Sequence, residues 1–308
     1  MQYNKQGIKS SIMNFTFILA GITLLILKDI FVPSLQDFGR AIVDKSTRYL
    51  HQSMNANKNI SARNIIVFQP GIEQGKFRQI QHVVPGRTFG SLILSNEAKQ
   101  TIVDVGNFLT QKQTTANGIP NRYGIMLYGP PGTGKTQFVI SLATTYNVPL
   151  YTLTLSSAFL GDESIRTRVF SSFSEKSIVF IDDVDAIFET KLVASGKLSI
   201  DTLLSGIDGV YVPHNIVYII ACNNKNLLPR KLTRRFPHAI LFDNPNIDSA
   251  LDLYTSYYSH CTEENKQDFI SYFQKISDSE GPLSFSDLES IMKRSATSDQ
   301  FNDILKDW

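Results

Sequence analysis

The sequence predicts an α/β domain with a largely parallel sheet, followed by a smaller all-helical C-terminal subdomain, and three observations carry that expectation. From Ser91 onward, short apolar runs alternate with helical stretches, the pattern of strands joined by crossover helices. The first of these runs, residues 125–128, enters a glycine-rich loop from which a helix leaves near Lys135. Beyond Asn244 the strand pattern stops, and residues 248–260, 264–275, 286–295 and 299–305 all read as helices.

Taken in chain order, the first element is an apolar helix. Between Lys9 and Lys28 lie 18 uncharged residues, and residues 15–27 (FTFILAGITLLIL) are apolar on every helical face apart from two threonines. Eighteen residues of helix span about 27 Å, enough for a thin bilayer. Two readings stand, a membrane anchor and a buried core helix; the terminal position and the preceding Lys5 and Lys9 favour the anchor. No small-x-small cleavage site follows Leu27, which argues against a removed signal peptide. Residues 34–53 have helical character, with Arg40, Lys45 and Arg48 among apolar positions, so more positive charge follows the anchor than precedes it. That bias predicts a single-pass protein with its bulk on the cytoplasmic or matrix side.

Residues 55–59 are a polar break. Two strands are then expected at 64–68 (NIIVF) and 79–84 (QIQHVV), divided by Pro70, Gly71 and Gly75, and Pro85-Gly86 closes a small N-terminal module. Ser95 and Asn96 are candidate caps for a helix running to about Leu109, with Ile102, Val105 and Phe108 on one face. Further strands are expected at 125–128, 150–155, 178–181 and 216–221. The expected organisation is an anchor segment (1–32), a small module (33–86), a large α/β subdomain (87–244) and a helical lid (245–308).

Composition narrows the function classes. With 42% hydrophobic and 19% charged residues the chain is neither a disordered tail nor a polytopic membrane protein. A net charge of +2 supplies no overall field for a nucleic acid backbone, so no nucleic acid partner is expected. Two cysteines, Cys222 and Cys261, are too few for a disulfide scaffold or a thiolate zinc site and point to a reducing compartment. The five histidines show no metal-ligand spacing, and His260 beside Cys261 is read as structural.

The strongest chemical signal is Gly129-Pro130-Pro131-Gly132-Thr133-Gly134-Lys135-Thr136, which fits G-x-x-x-x-G-K-[ST] between a strand and a helix. Glycines there let backbone N–H groups converge on a phosphate at a helix N-terminus. Lys135 adds a charge for the β- and γ-phosphates of ATP, and the Thr136 hydroxyl is a ligand for Mg2+. Hydrolysis also needs carboxylates at a neighbouring strand end, and Asp182-Asp183-Val-Asp185 follows the apolar run IVFI, 47 residues after the lysine. Asp182 is expected to hold the Mg2+ and Asp183 to orient or deprotonate the attacking water. Asp185 is open between a functional role and a helix-start cap. Asn223, at the end of the next apolar strand, is expected to sense the γ-phosphate and the water; a strand-end turn former is the bland alternative. Arg234 and Arg235 are either surface solvation after the last sheet segment or fingers that reach the γ-phosphate of an adjacent subunit.

The order of these parts resembles the AAA-type ATPases, and most closely the mitochondrial AAA chaperones that assemble respiratory complex III. The resemblance runs from about Arg87 to Lys293 and rests on residues 87–94 (RTFGSLIL), 117–132 (NGIPNRYGIMLYGPPG), 153–156 (LTLS), 181–188 (IDDVDAIF) and 203–210 (LLSGIDGV). It implies a homo-oligomeric ring, hexameric or heptameric. The ring would use ATP to remodel or translocate a protein client at a membrane, in this family the mitochondrial inner membrane. That family also carries Asp, not Glu, at the second carboxylate. The segment between anchor and ATPase is shorter here than the family's full domain, and the usual Arg-Pro-Gly-Arg run is contracted to Arg234-Arg235. Lys293 and Arg294 are the candidates for a second sensor. Phe159-Leu160-Gly161 stands where many AAA unfoldases carry a pore loop, with helix-start packing as the other reading. A soluble or viral AAA unfoldase and a non-hydrolysing ATP-binding scaffold are the alternative functions.

Overall fold

A computed structural model describes residues 65–73, 76–110, 121–153, 169–189, 200–208 and 215–306, all within one compact unit, residues 59–308. The expected anchor, the helix at 34–53 and the candidate pore loop Phe159-Leu160-Gly161 lie outside the described residues. Strands β1 (Ile65–Glu73), β2 (Lys76–Val84), β3 (Arg122–Tyr128), β4 (Leu150–Leu153), β5 (Ile178–Ile181), β6 (Ile216–Cys222) and β7 (His238–Leu241) form one sheet in the order β2-β1-β4-β5-β6-β3-β7. Among the described residues only the β1–β2 hairpin is antiparallel, and every other pairing is parallel.

Helices cover both faces, as a parallel sheet requires. On one side α1 (Asn96–Thr110) and α2 (Lys135–Tyr146) bring Ile102, Val105, Phe138 and Leu142 against Ile125, Leu127, Val217 and Ile219. On the other, α3 (Val184–Glu189), α4 (Ile200–Asp208) and α5 (Arg230–Thr233) pack Val184, Leu203, Ile207 and Leu232 against Met126, Ile181 and Ile220. All seven residues of β6 are buried, which is why it reads as an unbroken apolar run, not an alternating one. Ser95 is the cap that the sequence suggested, its Oγ accepting from the Ala98 N–H at 3.2 Å.

The C-terminal helices α6 (Ile247–Tyr257), α7 (Glu263–Ser279), α8 (Phe285–Met292) and α9 (Ser298–Lys306) enclose a core of their own. Tyr254 stacks on Phe269 at 4.5 Å, with Phe301 edge-on at 5.3 Å. Thr262 and Ser284 start α7 and α8 with reciprocal capping boxes.

Three expectations need correction. The Pro70-Gly71 pair does not divide the strands; β1 continues through it to Glu73. Proline lacks an N–H, but β4 pairs with β1 only at Val67 and Phe68, so on that side Pro70 has no ladder partner to satisfy. The hairpin expected within the small module at 33–86 extends the edge of the same seven-stranded sheet. Finally, Arg234 and Arg235 do not follow the last strand, because β7 comes after them. Only Ile240 of its four residues is buried, although residues 239–242 (AILF) are a short apolar run.

Candidate functional site

Strands β3, β5 and β6 end at one edge of the sheet, with β6 in the middle, registering Tyr128 with Cys222 and Ile181 with Ile220. The loop after β3, Asp182 after β5 and Asn223 after β6 are therefore neighbours by topology, although 94 residues separate the first from the last.

The loop's glycines do physical work. Gly129 and Gly134 adopt φ of 136° and 96°, open to glycine and strained for other residues. A Cβ at Gly129 would lie 2.0 Å from the Phe242 carbonyl oxygen, so no side chain fits. Thr133 Oγ1 donates to the Pro130 carbonyl at 2.9 Å and closes the loop on itself. Lys135 opens α2, whose unpaired first-turn N–H groups face an anion with the positive end of the helix dipole.

Lys135 is 8% exposed and donates to three oxygens, Gly129 O at 2.7 Å, Pro130 O at 2.8 Å and Asn223 Oδ1 at 3.3 Å. Burial lowers its pKa, while Asp182 and Asp183 pull it back up. Thr136 Oγ1 donates to Asp182 Oδ2 at 3.1 Å, and Asp182 Oδ1 accepts the Asp183 N–H at 3.0 Å. Asp183 is exposed and has φ of 47°, a left-handed conformation that Asp tolerates better than most residues. Desolvation, then the like charges of Asp182 and Asp185, raise its pKa above the ordinary carboxylate value. Asp185, 3% exposed in the first turn of α3, accepts the N–H groups of Asn223 and Asn224 through Oδ2, both at 2.8 Å. Burial pushes the Cys222 thiol up to about 11, which leaves it unreactive.

Lys135, Thr136, Asp182, Asp183 and Asn223 line a cavity of about 420 Å³. Residues 131–137, Asp182, Asp183 and Asn223 form its polar side. Ile93, Leu94, Phe242, Leu253 and Phe285 form an apolar wall that the sequence reading did not find, because it joins residues from the approach to α1, the end of β7, α6 and α8. The start of α8 rests on the loop itself: the Ser286 N–H donates to Gly132 O at 3.0 Å, and a Cβ at Gly132 would meet Ser284 Oγ at 2.6 Å.

The two arginines separate. Arg235 is tied to Asp208 of α4 and to the Lys231 carbonyl, with Arg122 Nη1 also 3.6 Å from Asp208. Arg234 is exposed, with no side-chain hydrogen bond or ion pair among the described residues, and neither arginine lines the cavity of its own chain. Lys293 and Arg294 do not reach the cavity either; Lys293 lies 3.5 Å from Glu289, and Arg294 Nε donates to Ser290 O at 3.4 Å.

The donors present suit Mg2+: a hydroxyl and a carboxylate are hard oxygen ligands, and they already face each other in the cavity. Among the described residues no group of three or more His, Cys, Asp or Glu could hold a metal ion unaided. A cation here therefore needs further oxygens from a phosphate ligand, which is the usual condition for Mg2+.

Comparison with known proteins agrees with this geometry. Residues 125–244 match the family described as "ATPase family associated with various cellular activities (AAA)". The probable mitochondrial chaperone BCS1-A of Dictyostelium discoideum is 26% identical over 228 residues, covering 70% of this chain and 54% of that protein. The probable mitochondrial chaperone bcs1 of Schizosaccharomyces pombe is 28% identical over 198 residues, 61% of this chain and 44% of that one. The ATP-dependent zinc metalloprotease FtsH of Ureaplasma parvum is 33% identical over 163 residues, 49% of this chain and 23% of the protease. The chain thus spans about half the length of the two chaperones. Among solved structures, the FIGL-1 AAA domain in complex with ADP aligns with a TM-score of 0.52 at 18% identity, covering 71% of this chain and 84% of that one, a likeness of fold alone. The chain carries an AAA domain of α/β P-loop fold, and two of the relatives it resembles are named as probable mitochondrial bcs1-type chaperones.

Proposed function

We propose that the chain hydrolyses Mg-ATP in this cavity, as one subunit of a homo-oligomeric AAA ring that remodels or translocates a protein client at a membrane. The observation that carries the reading is the meeting of Lys135, Thr136, Asp182, Asp183 and Asn223, drawn from three strand ends, around one cavity at a helix N-terminus. In this mechanism residues 129–136 cradle the phosphates through backbone N–H groups, and Lys135 neutralises the β- and γ-phosphates. Thr136 and Asp182 would hold the Mg2+, which offsets charge developing on the phosphate oxygens. Asp183 takes a proton from the attacking water as its oxygen bonds to the γ-phosphorus and the bridging β–γ bond breaks, giving ADP and inorganic phosphate. Asn223 hydrogen-bonds the γ-phosphate and the water. With Arg235 held by Asp208, Arg234 is the arginine left to act on the neighbouring subunit's γ-phosphate, a role whose loss costs about 10³-fold or more in turnover.

The membrane and client parts rest on the uncharged run 10–27 and on relatives named as mitochondrial chaperones. On this reading the anchor lies in the mitochondrial inner membrane and the ATPase on the matrix side. Among the described residues no helix is long and apolar enough to cross a membrane, so the anchor reading stands on the sequence.

The test is steady-state phosphate release by the full chain in detergent, with and without Mg2+, beside Lys135→Ala. The expected result is Mg-dependent turnover in the wild type and a loss of ATP affinity of about 100-fold or more in the variant, whose ammonium no longer meets the phosphates. Tight ATP binding without turnover would favour a non-hydrolysing scaffold. Undiminished affinity in Lys135→Ala would contradict the assignment of the loop.

A further inference from the structure

Three carboxylates follow β5 within four residues, and the proposed mechanism uses only two. The third, Asp185, is 3% exposed and does not line the cavity. Its Oδ2 nevertheless holds both peptide N–H groups that follow β6, those of Asn223 and Asn224, at 2.8 Å each. Buried peptide donors at a strand end need an acceptor, and a carboxylate provides a strong, charge-assisted one. The other oxygen, Oδ1, is buried with no hydrogen-bond partner among the described residues. A buried carboxylate oxygen without a partner destabilises the fold, so folding alone does not account for the residue at this position. The bonds pin only the main chain: the Asn223 side chain is exposed, and its amide oxygen receives a single 3.3 Å contact from Lys135.

We propose that Asp185 is a positioning residue for ATP hydrolysis, fixing the main chain at Asn223 so that its amide meets the γ-phosphate and the attacking water while the side chain stays free to turn. The inference rests on the reading of this cavity as the ATP site with Asn223 at the γ-phosphate. The three carboxylates then divide the work, Asp182 with Thr136, Asp183 at the water and Asp185 behind the sensor.

The experiment compares Asp185→Ala, Asp185→Asn, Asn223→Ala and the Asp185→Ala/Asn223→Ala pair in the full chain. Asp185→Ala should lower kcat about tenfold or more while leaving ATP affinity within about threefold. Asp185→Asn, which keeps a carbonyl oxygen for both N–H groups, should retain about a third of kcat or more. In the Asn223→Ala background, removing Asp185 should cost less than about twofold further, because the group it positions is gone. Full additivity in the double variant, unchanged kcat in Asp185→Ala, or equal losses in Asp185→Ala and Asp185→Asn overturns the proposal. Should the alanine variant fail to fold, Asp185→Asn decides alone, and a loss of about tenfold or more there overturns it.

Amide exchange at Asn223 and Asn224, followed by mass spectrometry without nucleotide, tests the tie apart from turnover. It should speed up about tenfold or more in Asp185→Ala and change little in Asp185→Asn. Unchanged exchange in Asp185→Ala overturns the positioning role, whereas a wild-type chain that binds no ATP contradicts the reading of the site and leaves the exchange result to judge the tie.

Discussion

Asp183 sits at φ of 47° with a pKa above its ordinary value, and both facts bear on how it can be tested. Asn tolerates the same left-handed backbone, so Asp183→Asn removes the charge without adding strain. A carboxylate whose pKa rises on folding destabilises the native state when ionised. The penalty is absent below the unfolded-state pKa and complete above the raised folded one. Asp183→Asn should therefore melt at or above the wild-type temperature near neutral pH, the gain vanishing as acidification passes below the ordinary carboxylate range. Thermal melts across pH check this, and an advantage that grows toward acid would contradict it. In catalysis the sign is reversed. The water needs an ionised Asp183, so Asp183→Asn should bind Mg-ATP and not turn over, as nucleotide titration beside phosphate release checks. The motif residues were legible because phosphate chemistry demands those types at that spacing. Asp185 was only half legible, since an acid in a helix's first turn reads the same whether it caps or reaches across to another strand.

At the level of elements, the interior strands were the easiest to read. Strands β5 and β6 are buried on both faces and so appear as short apolar runs bounded by polar residues, and the structure places them within a residue of the expected ends. Of the two edge strands, β2 was expected at 79–84, whereas β7 escaped because its apolar run, residues 239–242 (AILF), is short and β7 buries one side chain of four. The apolar wall of the cavity was illegible because Ile93, Leu94, Leu253 and Phe285 meet only through the packing of α6 and α8 against the rest of the unit. That packing predicts a double role for Ser284. Its Oγ accepts the Asp287 N–H at 3.2 Å and donates to Asp287 Oδ2 at 2.7 Å, starting the helix that rests on Gly132. Ser284→Ala should cost about 1 kcal/mol of stability, as loss of an N-cap generally does, and should also weaken ATP binding. Chemical denaturation paired with nucleotide titration checks it; a loss of stability with unchanged affinity would separate the cap from the site.

On the scale of the whole molecule, the proposal makes two separable claims, an anchor and a shared site. Deleting residues 1–28 should move the protein from the membrane pellet to the supernatant, because the anchor reading rests on the uncharged run 10–27, whereas the longer uncharged run 136–161 supplies α2 and β4 of the sheet domain. A full-length chain already soluble without detergent would turn the helix into a core or partner element. The shared site follows from the arginines. Arg235 is anchored to Asp208, and Arg234 is exposed and absent from the cavity of its own chain, so its catalytic use requires a second copy. Arg234→Ala should then bind ATP normally and hydrolyse it slowly, while Lys135→Ala binds it about 100-fold or more weakly.

Co-assembly of these two variants tests the central claim most directly. A mixed ring contains interfaces with an intact lysine on one side and an intact arginine on the other, so phosphate release should recover when two nearly inactive proteins are combined, and the recovery should vary with their ratio. No recovery at any ratio, in rings shown to contain both variants, would contradict a site completed by the neighbouring subunit.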